Sequence, residues 1–188
     1  MPQWTVISKQ QHSRTRYIPR DGYHHTRDQL VAPISLVELA KLVPHYVIGF
    51  LPQGERYQAV VLLGVEQGTN LYVHPDGRWL GGYVPASLRG YPFNLHTDDK
   101  DRQVLCIDSD CLLEPDTEQG QPLFAENGEP SEPIAKQLQF LEECSADQQR
   151  TQRAMDRIHE ADVLTPWTLA IPQKAGEPRQ IDGLYRID

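Results

Sequence analysis

The stretch YVIGFLPQGERYQAVVLLGV, residues 46–65, predicts a β-hairpin, which is the strongest indication of the fold. Its two ends, YVIGF and QAVVLLGV, are rich in β-branched and aromatic residues, which favour strands. Pro52 and Gly54 lie between these ends, where they favour a turn. Residues 59–65 form a continuous apolar run, which is typical of a strand that is covered on both faces.

Further strands are predicted on either side of this hairpin. The segments that predict them are short and rich in strand-forming residues: TVISK (5–9, an edge strand), NLYV (70–73), RWL (78–80), QVLCID (103–108), PWTLAI (166–171) and GLYRI (183–187). PDG (75–77) predicts the turn between NLYV and RWL, with Gly77 at positive φ. PQKAGEPRQ (172–180) predicts the loop that joins the last two strands.

Two segments predict helices. In APISLVELAKLVPH (32–45), Ser35 is expected to cap the helix with Glu38 in a capping box, and Pro44 to end it. The predicted buried face of this helix consists of Leu36, Leu39, Ala40 and Val43. The second segment, 132–164, has a polar centre, SADQQRTQ, which leaves open one long helix or two shorter ones.

The order of these elements predicts the fold class. Strands come in runs rather than in alternation with helices, which indicates an α+β fold. We expect a small antiparallel β-sheet or open barrel with two or more packed helices. The length of 188 residues predicts a single domain, 1–188.

The composition argues against several classes of function. Because the net charge is −8, generic binding to nucleic acid or to an anionic membrane is not expected. No apolar run reaches the roughly 18 residues of a membrane span, and the N-terminus lacks the apolar core of a signal peptide. Cys106, Cys111 and Cys144 have no CxxC spacing and predict free, reduced thiols of a cytoplasmic protein.

Charge is distributed unevenly along the chain. Residues 1–50 contain six basic side chains against three acidic ones, whereas residues 98–132 contain eleven acidic side chains against two basic ones. The two regions are able to attract each other within one fold. A solvated acidic surface is the simpler interpretation of the second region.

No motif predicts catalysis or a cofactor. The adjacent His24 and His25 belong to no HxH or HExxH spacing, so no metal site is expected. The motifs GxSxG, GxxxxGKS and GxGxxG do not occur. In CIDSDC (106–111), the carboxylates are expected to raise the pKa of the thiols, which opposes a nucleophilic role. We therefore expect no catalytic residue, no cofactor and no metal.

The most distinctive stretch is GGYVPASLRGYPFNL, residues 81–95. Its aromatic rings suit an exposed loop that recognises a ligand. The alternative is a buried segment that shapes the fold, stiffened by its two prolines, with VPASL as a single helical turn. Arg89 then either bonds to backbone carbonyls, Asp108 or another carboxylate, or it points into an open cleft beside Tyr83 or Tyr91. The candidate binding residues are Arg89, Tyr83, Tyr91, Trp79 and Asp108.

The sequence resembles the SapC-like proteins, a bacterial family named after a protein associated with the surface layer (S-layer). The motifs that carry the resemblance extend through nearly the whole chain: VISKQQH (6–12), VAPISLVELAKLVPHYVIGF (31–50), AVVLLGVEQGTNLYVHPDGRWLGGYVPASLRGYPFNL (59–95), LCIDSDC (105–111), GQPLFAENGEPSE (120–132), VLTPWTL (163–169) and GLYRID (183–188). Where the family usually has two basic residues before YPF, this chain has Arg89 and Gly90, so a role that needs both charges does not carry over.

The resemblance implies a link to bacterial surface-layer or outer-membrane pathways and supplies no catalytic residues. Together with the lack of catalytic motifs, it favours a non-enzymatic, cytoplasmic binding or adaptor protein. Such a protein needs a protein partner, and we expect an apolar patch or groove beside residues 83–93. The alternatives are an enzyme acting on a peptide or sugar through Arg89, Asp108 and a tyrosine, with a peptide or small-molecule ligand, and a structural surface-layer component.

Overall fold

A computed structural model describes residues 2–173 and 177–188 of the chain. Within these residues, the strands in chain order are β1 (Trp4–Val6), β2 (Arg16–Tyr17), β3 (Val31–Pro33), β4 (Ile48–Gln53), β5 (Arg56–Leu62), β6 (Phe93–Thr97), β7 (Gln103–Asp108), β8 (Gln121–Pro122), β9 (Leu164–Ile171) and β10 (Arg179–Ile187). The α-helices are α1 (Lys9–His12), α2 (Leu39–Leu42), α3 (Ala86–Arg89) and α4 (Glu132–Glu160). Short 3-10 turns occur at His24–Thr26, Leu36–Glu38 and Ser109–Cys111.

These elements confirm the predicted α+β class. The strands form three sheets in which every pairing among the described residues is antiparallel. The chain divides into two compact units. The first unit consists of Met1–Asp21 and Arg89–Ser145, and the second unit of Gly22–Leu88 and Ala146–Asp188.

The first unit contains a three-stranded sheet in the order β1-β7-β6 and a two-stranded sheet, β2-β8. The prediction of an edge strand near residue 5 is confirmed, although β1 ends at Val6 because α1 begins at Lys9. QVLCID is confirmed as β7, the central strand. The core of this unit consists of Tyr17, Phe93, Ile107, Leu123, Ile134 and Leu141.

The second unit contains a five-stranded sheet in the order β3-β5-β4-β10-β9. The predicted hairpin is confirmed, and its register pairs Gln53 with Arg56, so that Gly54, at φ 61°, and its successor form the turn. Ala59, Val60 and Val61 are consecutive and all buried, as expected for a strand that is covered on both faces. The buried core of this unit contains five residues on or next to β3 and β5, namely Ala32, Ile34, Ala59, Val61 and Leu63. Its other members are Leu42, Tyr46, Leu88 and Met155.

The strands predicted near the C-terminal end are also confirmed. β9 and β10 pair antiparallel, with a register shift between Ile181 and Leu184. Gly183 lies in this irregularity at φ 87°, a conformation that glycine adopts without a steric cost. The loop predicted at 172–180 includes residues 174–176, which lie outside the described residues.

The strands predicted at 70–73 and 78–80 are wrong. A single isolated bridge, Val73 to Trp79, takes their place. The contacts of Asn70 explain this: Asn70 is buried, its amide donates to the Thr26 carbonyl, and its side-chain oxygen accepts from Tyr72 N, which holds this segment in turns. The turn predicted at 75–77 is confirmed, because Gly77 N donates to His74 O at 2.8 Å and Gly77 has φ 90°.

The helix predicted from Ser35 onward begins as expected but buries a different face. The capping box of Ser35 and Glu38 is present, and the helix ends before Pro44. Of the residues predicted to be buried, Leu36, Ala40 and Val43 are exposed and only Leu39 packs against the core, whereas Leu42 is fully buried. Because the first turn is a 3-10 turn with three residues per turn, the following residues rotate out of the register expected for an α-helix.

The segment 132–164 forms the single long helix α4 rather than two helices. Ile134 and Leu141 belong to the core of the first unit, and Met155 to that of the second. The polar centre is explained in part by Thr151, which is buried and whose hydroxyl donates to Asp147 O and accepts from Leu36 N at 2.9 Å. None of the helices in the described part of the chain is both long and apolar enough to cross a membrane.

Candidate functional site

The five predicted binding residues lie in two separate clusters, one in each unit. Arg89, Tyr91 and Asp108 belong to the first unit, and Trp79 and Tyr83 to the second. Much of the 81–95 stretch is buried or half-buried, including Pro85, Pro92 and Phe93, which agrees with the interpretation of a segment that shapes the fold. Pro85 directly precedes the single helical turn predicted for VPASL, which is α3.

Asp108 is the centre of the cluster in the first unit. It is 4% exposed, and its carboxylate accepts a hydrogen bond from the Tyr91 hydroxyl at 2.9 Å. It also accepts from Gln3 N at 3.3 Å and from Asp110 N at 3.4 Å, the second of which caps the 3-10 turn that follows β7. A carboxylate with these donors ties the N-terminal segment to the end of the central strand.

Tyr91 and Cys111 lie next to this carboxylate. Burial and hydrogen bonds to Cys111 and Asp108 raise the pKa of Tyr91 far above its usual value. Burial is the main cause that raises the pKa of Cys111, with Asp108 and Asp110 acting in the same direction, as predicted, and the Tyr91 hydrogen bond opposing it. For Cys106, burial raises the pKa. These thiols are therefore poorly suited to act as nucleophiles.

Arg89 makes a cation–π contact within the first unit. Its guanidinium carbon lies 5.0 Å from the centroid of the Phe140 ring, and its carbonyl accepts from Arg20. The carboxylate of Asp108 accepts from the Tyr91 hydroxyl and from the N–H groups of Gln3 and Asp110, and the pairing of Arg89 with Asp108 stays a prediction. At Gly90 a Cβ would lie 2.8 Å from a methyl group of Leu141, so this position favours glycine.

Glu38 is the centre of the cluster in the second unit, and sequence reasoning found only its local role in the capping box. It is 4% exposed and accepts four hydrogen bonds. Two come from Ser35, through its N–H and its hydroxyl, both at 3.0 Å. The others come from the Tyr83 hydroxyl at 3.1 Å and from Ala86 N at 2.7 Å. Glu38 thus joins the start of its helix to the 83–86 segment.

Trp79 and Tyr83 belong to a network of aromatic residues beside Glu38. The indole N–H of Trp79 donates to the Tyr46 hydroxyl at 2.9 Å, and that hydroxyl donates to the Tyr83 carbonyl. The ring of Tyr72 stacks on Trp79, with centroids 5.7 Å apart and an interplanar angle of 17°. Burial, as the main cause, raises the pKa of Tyr46 to about 12. These rings form a supporting layer that is half-buried.

An exposed apolar surface lies in the same unit. We define the apolar surface as the exposed apolar side chains of residues 36–47, namely Leu36, Val37, Ala40, Val43, Pro44 and Val47. Val37 is 63% exposed and Val43 64%. The loop 71–80 adjoins this segment, because the Tyr72 hydroxyl donates to His45 O, and the loop adds the exposed Leu71 and Leu80. Lys41 is the single exposed Lys, Arg, Asp or Glu in the fully described 36–47 segment.

No signal in the sequence identified this surface, because the apolar helical face was expected to be buried.

Within residues 2–173 and 177–188, no group of three or more His, Cys, Asp or Glu side chains is placed to hold a metal ion.

Comparison with known proteins gives one match. The sequence model of the SapC family matches residues 7–188, which is nearly the whole chain. A search of the curated proteins and a search of the solved structures each returned no match.

Proposed function

Because the chain belongs to the SapC family, we propose that it is a non-enzymatic binding or adaptor protein of bacterial surface-layer or outer-membrane pathways. In this proposal residues 1–188 act as a single SapC-like domain that docks a protein partner on the apolar surface. The observation that carries the proposal is the exposure of Val37, Val43 and their apolar neighbours in the 36–47 segment, whose Glu38, Leu42 and Tyr46 are buried. Contiguous exposed apolar side chains are typical of protein interfaces.

The chemistry of the apolar surface indicates what the partner presents. The exposed apolar side chains of this surface suit an apolar segment of the partner, because contact removes both from water. Lys41, whose ammonium lies 5.4 Å from the Tyr83 ring centroid, is the exposed charge of the segment. We therefore expect a distinct protein whose apolar segment carries a carboxylate opposite Lys41. Trp79 and Tyr83 support the surface from behind through their hydrogen bonds with Tyr46 and Glu38.

Two further observations support a binding role rather than catalysis. The buried carboxylates of Glu38 and Asp108 are engaged by main-chain and tyrosine donors, which suits a scaffold. The raised pKa of the Cys111 thiol opposes a nucleophilic role. The binding roles of Arg89, Tyr91 and Asp108 stay predictions. We place the function in the cytoplasm because all three cysteines are free, as a reducing compartment maintains them.

Site-specific photo-crosslinking tests the proposal. A photoreactive amino acid is introduced at Val37 or Val43 in the native bacterium, and at Ile18 as the matched control. Ile18 is 50% exposed, belongs to the first unit and is not one of the residues of the apolar surface. We expect adducts with one distinct protein, identified by mass spectrometry, at residues 37 and 43 and not at 18. Lys41→Glu should reduce the yield of these adducts because it repels the partner's carboxylate.

Two outcomes would reject the proposal. Adducts of the chain with itself alone would favour the structural surface-layer alternative, because they indicate self-assembly through this face. Equal labelling of all proteins at residues 18, 37 and 43 would show that the exposed side chains bind nothing specific. Circular dichroism of each variant confirms that the variant is folded before its adducts are compared.

A further inference from the structure

A groove in the first unit shares no residue with the proposed apolar surface. Its volume is about 810 Å³, which is within the range of ligand-binding pockets. Three segments of the chain line it, around residues 9–16, 116–117 and 122–128. None of the five predicted binding residues contributes to this lining.

The lining is more basic than the chain as a whole. Lys9, Arg14 and Arg16 face two acidic residues, Asp116 and Glu126, although the net charge of the chain is −8. The Arg16 guanidinium is held in place by hydrogen bonds to the carbonyls of residues 119 and 120, the shortest of which is 2.8 Å. Arg14 forms an ion pair with Asp116 at 3.3 Å, which joins the basic N-terminal region to the acidic one. Both partners of this ion pair are exposed, so it opens at little cost.

Lys9 supplies the available positive charge. Within the described part of the chain, no carboxylate lies within ion-pair distance of its ammonium. Gly128 provides the space: a Cβ at this position, which has φ 78°, would lie 2.3 Å from the Lys9 nitrogen. The turn that brings Gly128 under the ammonium is closed by its N–H, which donates to Ala125 O at 2.8 Å.

The groove also has an apolar part. Phe124 packs against the core of the first unit and lines the groove beside Pro122 and Ala125. Ser13 and Thr15 belong to the same lining, and a hydroxyl group is able to donate and accept hydrogen bonds. A ligand that fits all of these groups has a carboxylate next to an apolar group and further polar groups at intervals.

We propose that this groove binds a short, extended peptide segment with an acidic side chain beside an apolar one. The carboxylate pairs with the Lys9 ammonium, the neighbouring apolar side chain packs on Phe124, and peptide groups bond to the hydroxyls of Ser13 and Thr15. A simple carboxylate would satisfy Lys9 alone and leave the apolar part in water. Phe124 is the single aromatic ring among the lining residues described, which gives a sugar few faces on which to stack.

Titration of the full, 15N-labelled chain tests this site by nuclear magnetic resonance. The probes are the blocked peptides Ac-Leu-Glu-Leu-NH₂ and Ac-Leu-Gln-Leu-NH₂, with succinate as the simple carboxylate. We expect the glutamate peptide to shift the amide signals of Ala125 and Gly128. Lys9→Gln should weaken its binding about tenfold, as expected for a hydrogen bond to a charged group. Lys100→Gln, an exposed lysine of the same unit outside the lining, should leave it unchanged.

Several results would overturn the inference. Equal affinity for the glutamine peptide, or for succinate, would show that the proposed pairing of carboxylate and apolar group is not recognised. An equal loss in Lys9→Gln and Lys100→Gln would indicate nonspecific charge attraction. Absence of shifts at millimolar glutamate peptide would reject the site. The apolar surface is tested separately, since Val43→Asp alters that surface and should leave this titration unchanged.

Discussion

Each of the two units contains a buried carboxylate that joins distant parts of the chain. The two carboxylates differ in the number and the length of the hydrogen bonds that they accept. Glu38 of the second unit and Asp108 of the first are both 4% exposed. Each accepts a hydrogen bond from a tyrosine hydroxyl, Tyr83 and Tyr91 respectively, and from main-chain N–H groups. Four donors lie 2.7–3.1 Å from Glu38, whereas two of the three donors to Asp108 lie at 3.3 and 3.4 Å.

This difference indicates which cluster is more strongly constrained. Hydrogen bonds weaken as the distance grows, so Asp108 depends chiefly on Tyr91, whereas Glu38 shares its charge among four short contacts. Removal of either carboxylate leaves buried donors without an acceptor, which costs more than the net value of the bonds themselves.

The largest expected effect is that of Glu38→Ala. The change leaves Ser35 N–H, Ala86 N–H and the Tyr83 hydroxyl without their acceptor and creates a small cavity. We expect the free energy of unfolding to fall by about 4 kcal/mol, measured by urea denaturation. Glu55→Ala, at an exposed position in the hairpin turn, is the matched control and should change it by less than about 0.5 kcal/mol. Equal effects of the two variants would contradict the role of Glu38.

A smaller effect is expected for Asp108→Ala in the first unit. Since two of its three hydrogen bonds are long, we expect a loss of about 2–3 kcal/mol in the same measurement. Asp110→Ala is the matched control, because Asp110 is exposed and two residues away. If Asp108→Ala cost as much as Glu38→Ala or more, donor distance would not explain the difference between the two clusters.

The sequence revealed the local contact of Glu38 and not the distant contacts of either cluster. The capping box of Glu38 depends on residues three positions apart, so it is visible in the sequence. Tyr83 and Ala86 are 45 and 48 positions from Glu38, and Gln3 is 105 from Asp108. Only the tertiary fold brings such residues together. The pairing considered for Asp108 with Arg89 stays a prediction, and the donors observed at this carboxylate are the Tyr91 hydroxyl and main-chain N–H groups.

The same distinction applies to the fold. Strands with strong β propensity and the hairpin at 46–65 were predicted, because their signals are continuous in the sequence. β3, with three residues, was too short to produce a pattern. The exposed apolar surface was missed because a 3-10 turn changed the phase of an apolar stripe that was assumed to be buried. The groove of the first unit was missed because it combines segments that are far apart in sequence.

A pair of conservative changes sharpens the comparison further. Tyr83→Phe and Tyr91→Phe each remove one hydroxyl donor and keep the ring. We expect Tyr91→Phe to lower the free energy of unfolding by about 1.5 kcal/mol, since Asp108 retains only its two long hydrogen bonds. Tyr83→Phe should lower it by about 0.7 kcal/mol, because Glu38 retains three short ones. Urea denaturation of both variants gives the order, and the reverse order would contradict the argument.

The smallest expected effect is a dependence on alkaline pH that comes from Tyr91. Burial and its hydrogen bonds raise the pKa of Tyr91 in the folded protein above the value of about 10 in the unfolded chain. The folded state therefore keeps a proton that the unfolded state releases. This stabilisation is complete below pH 10 and is lost as the pH rises towards the folded pKa.

Above pH 10, we therefore expect the free energy of unfolding to fall more steeply in the wild type than in Tyr91→Phe. The difference should be a few tenths of a kcal/mol per pH unit, because Tyr91 is only half-buried and solvent screens its interactions. Urea denaturation at pH 9, 10 and 11 measures both slopes, and lysine titration cancels between the two proteins. Tyr46→Phe provides the counterpart in the second unit, where the folded pKa is about 12. Identical slopes in the wild type and Tyr91→Phe would mean that the pKa of Tyr91 is the same in the folded and the unfolded protein. That result would contradict the effect expected from burial and from the hydrogen bond to the buried carboxylate of Asp108.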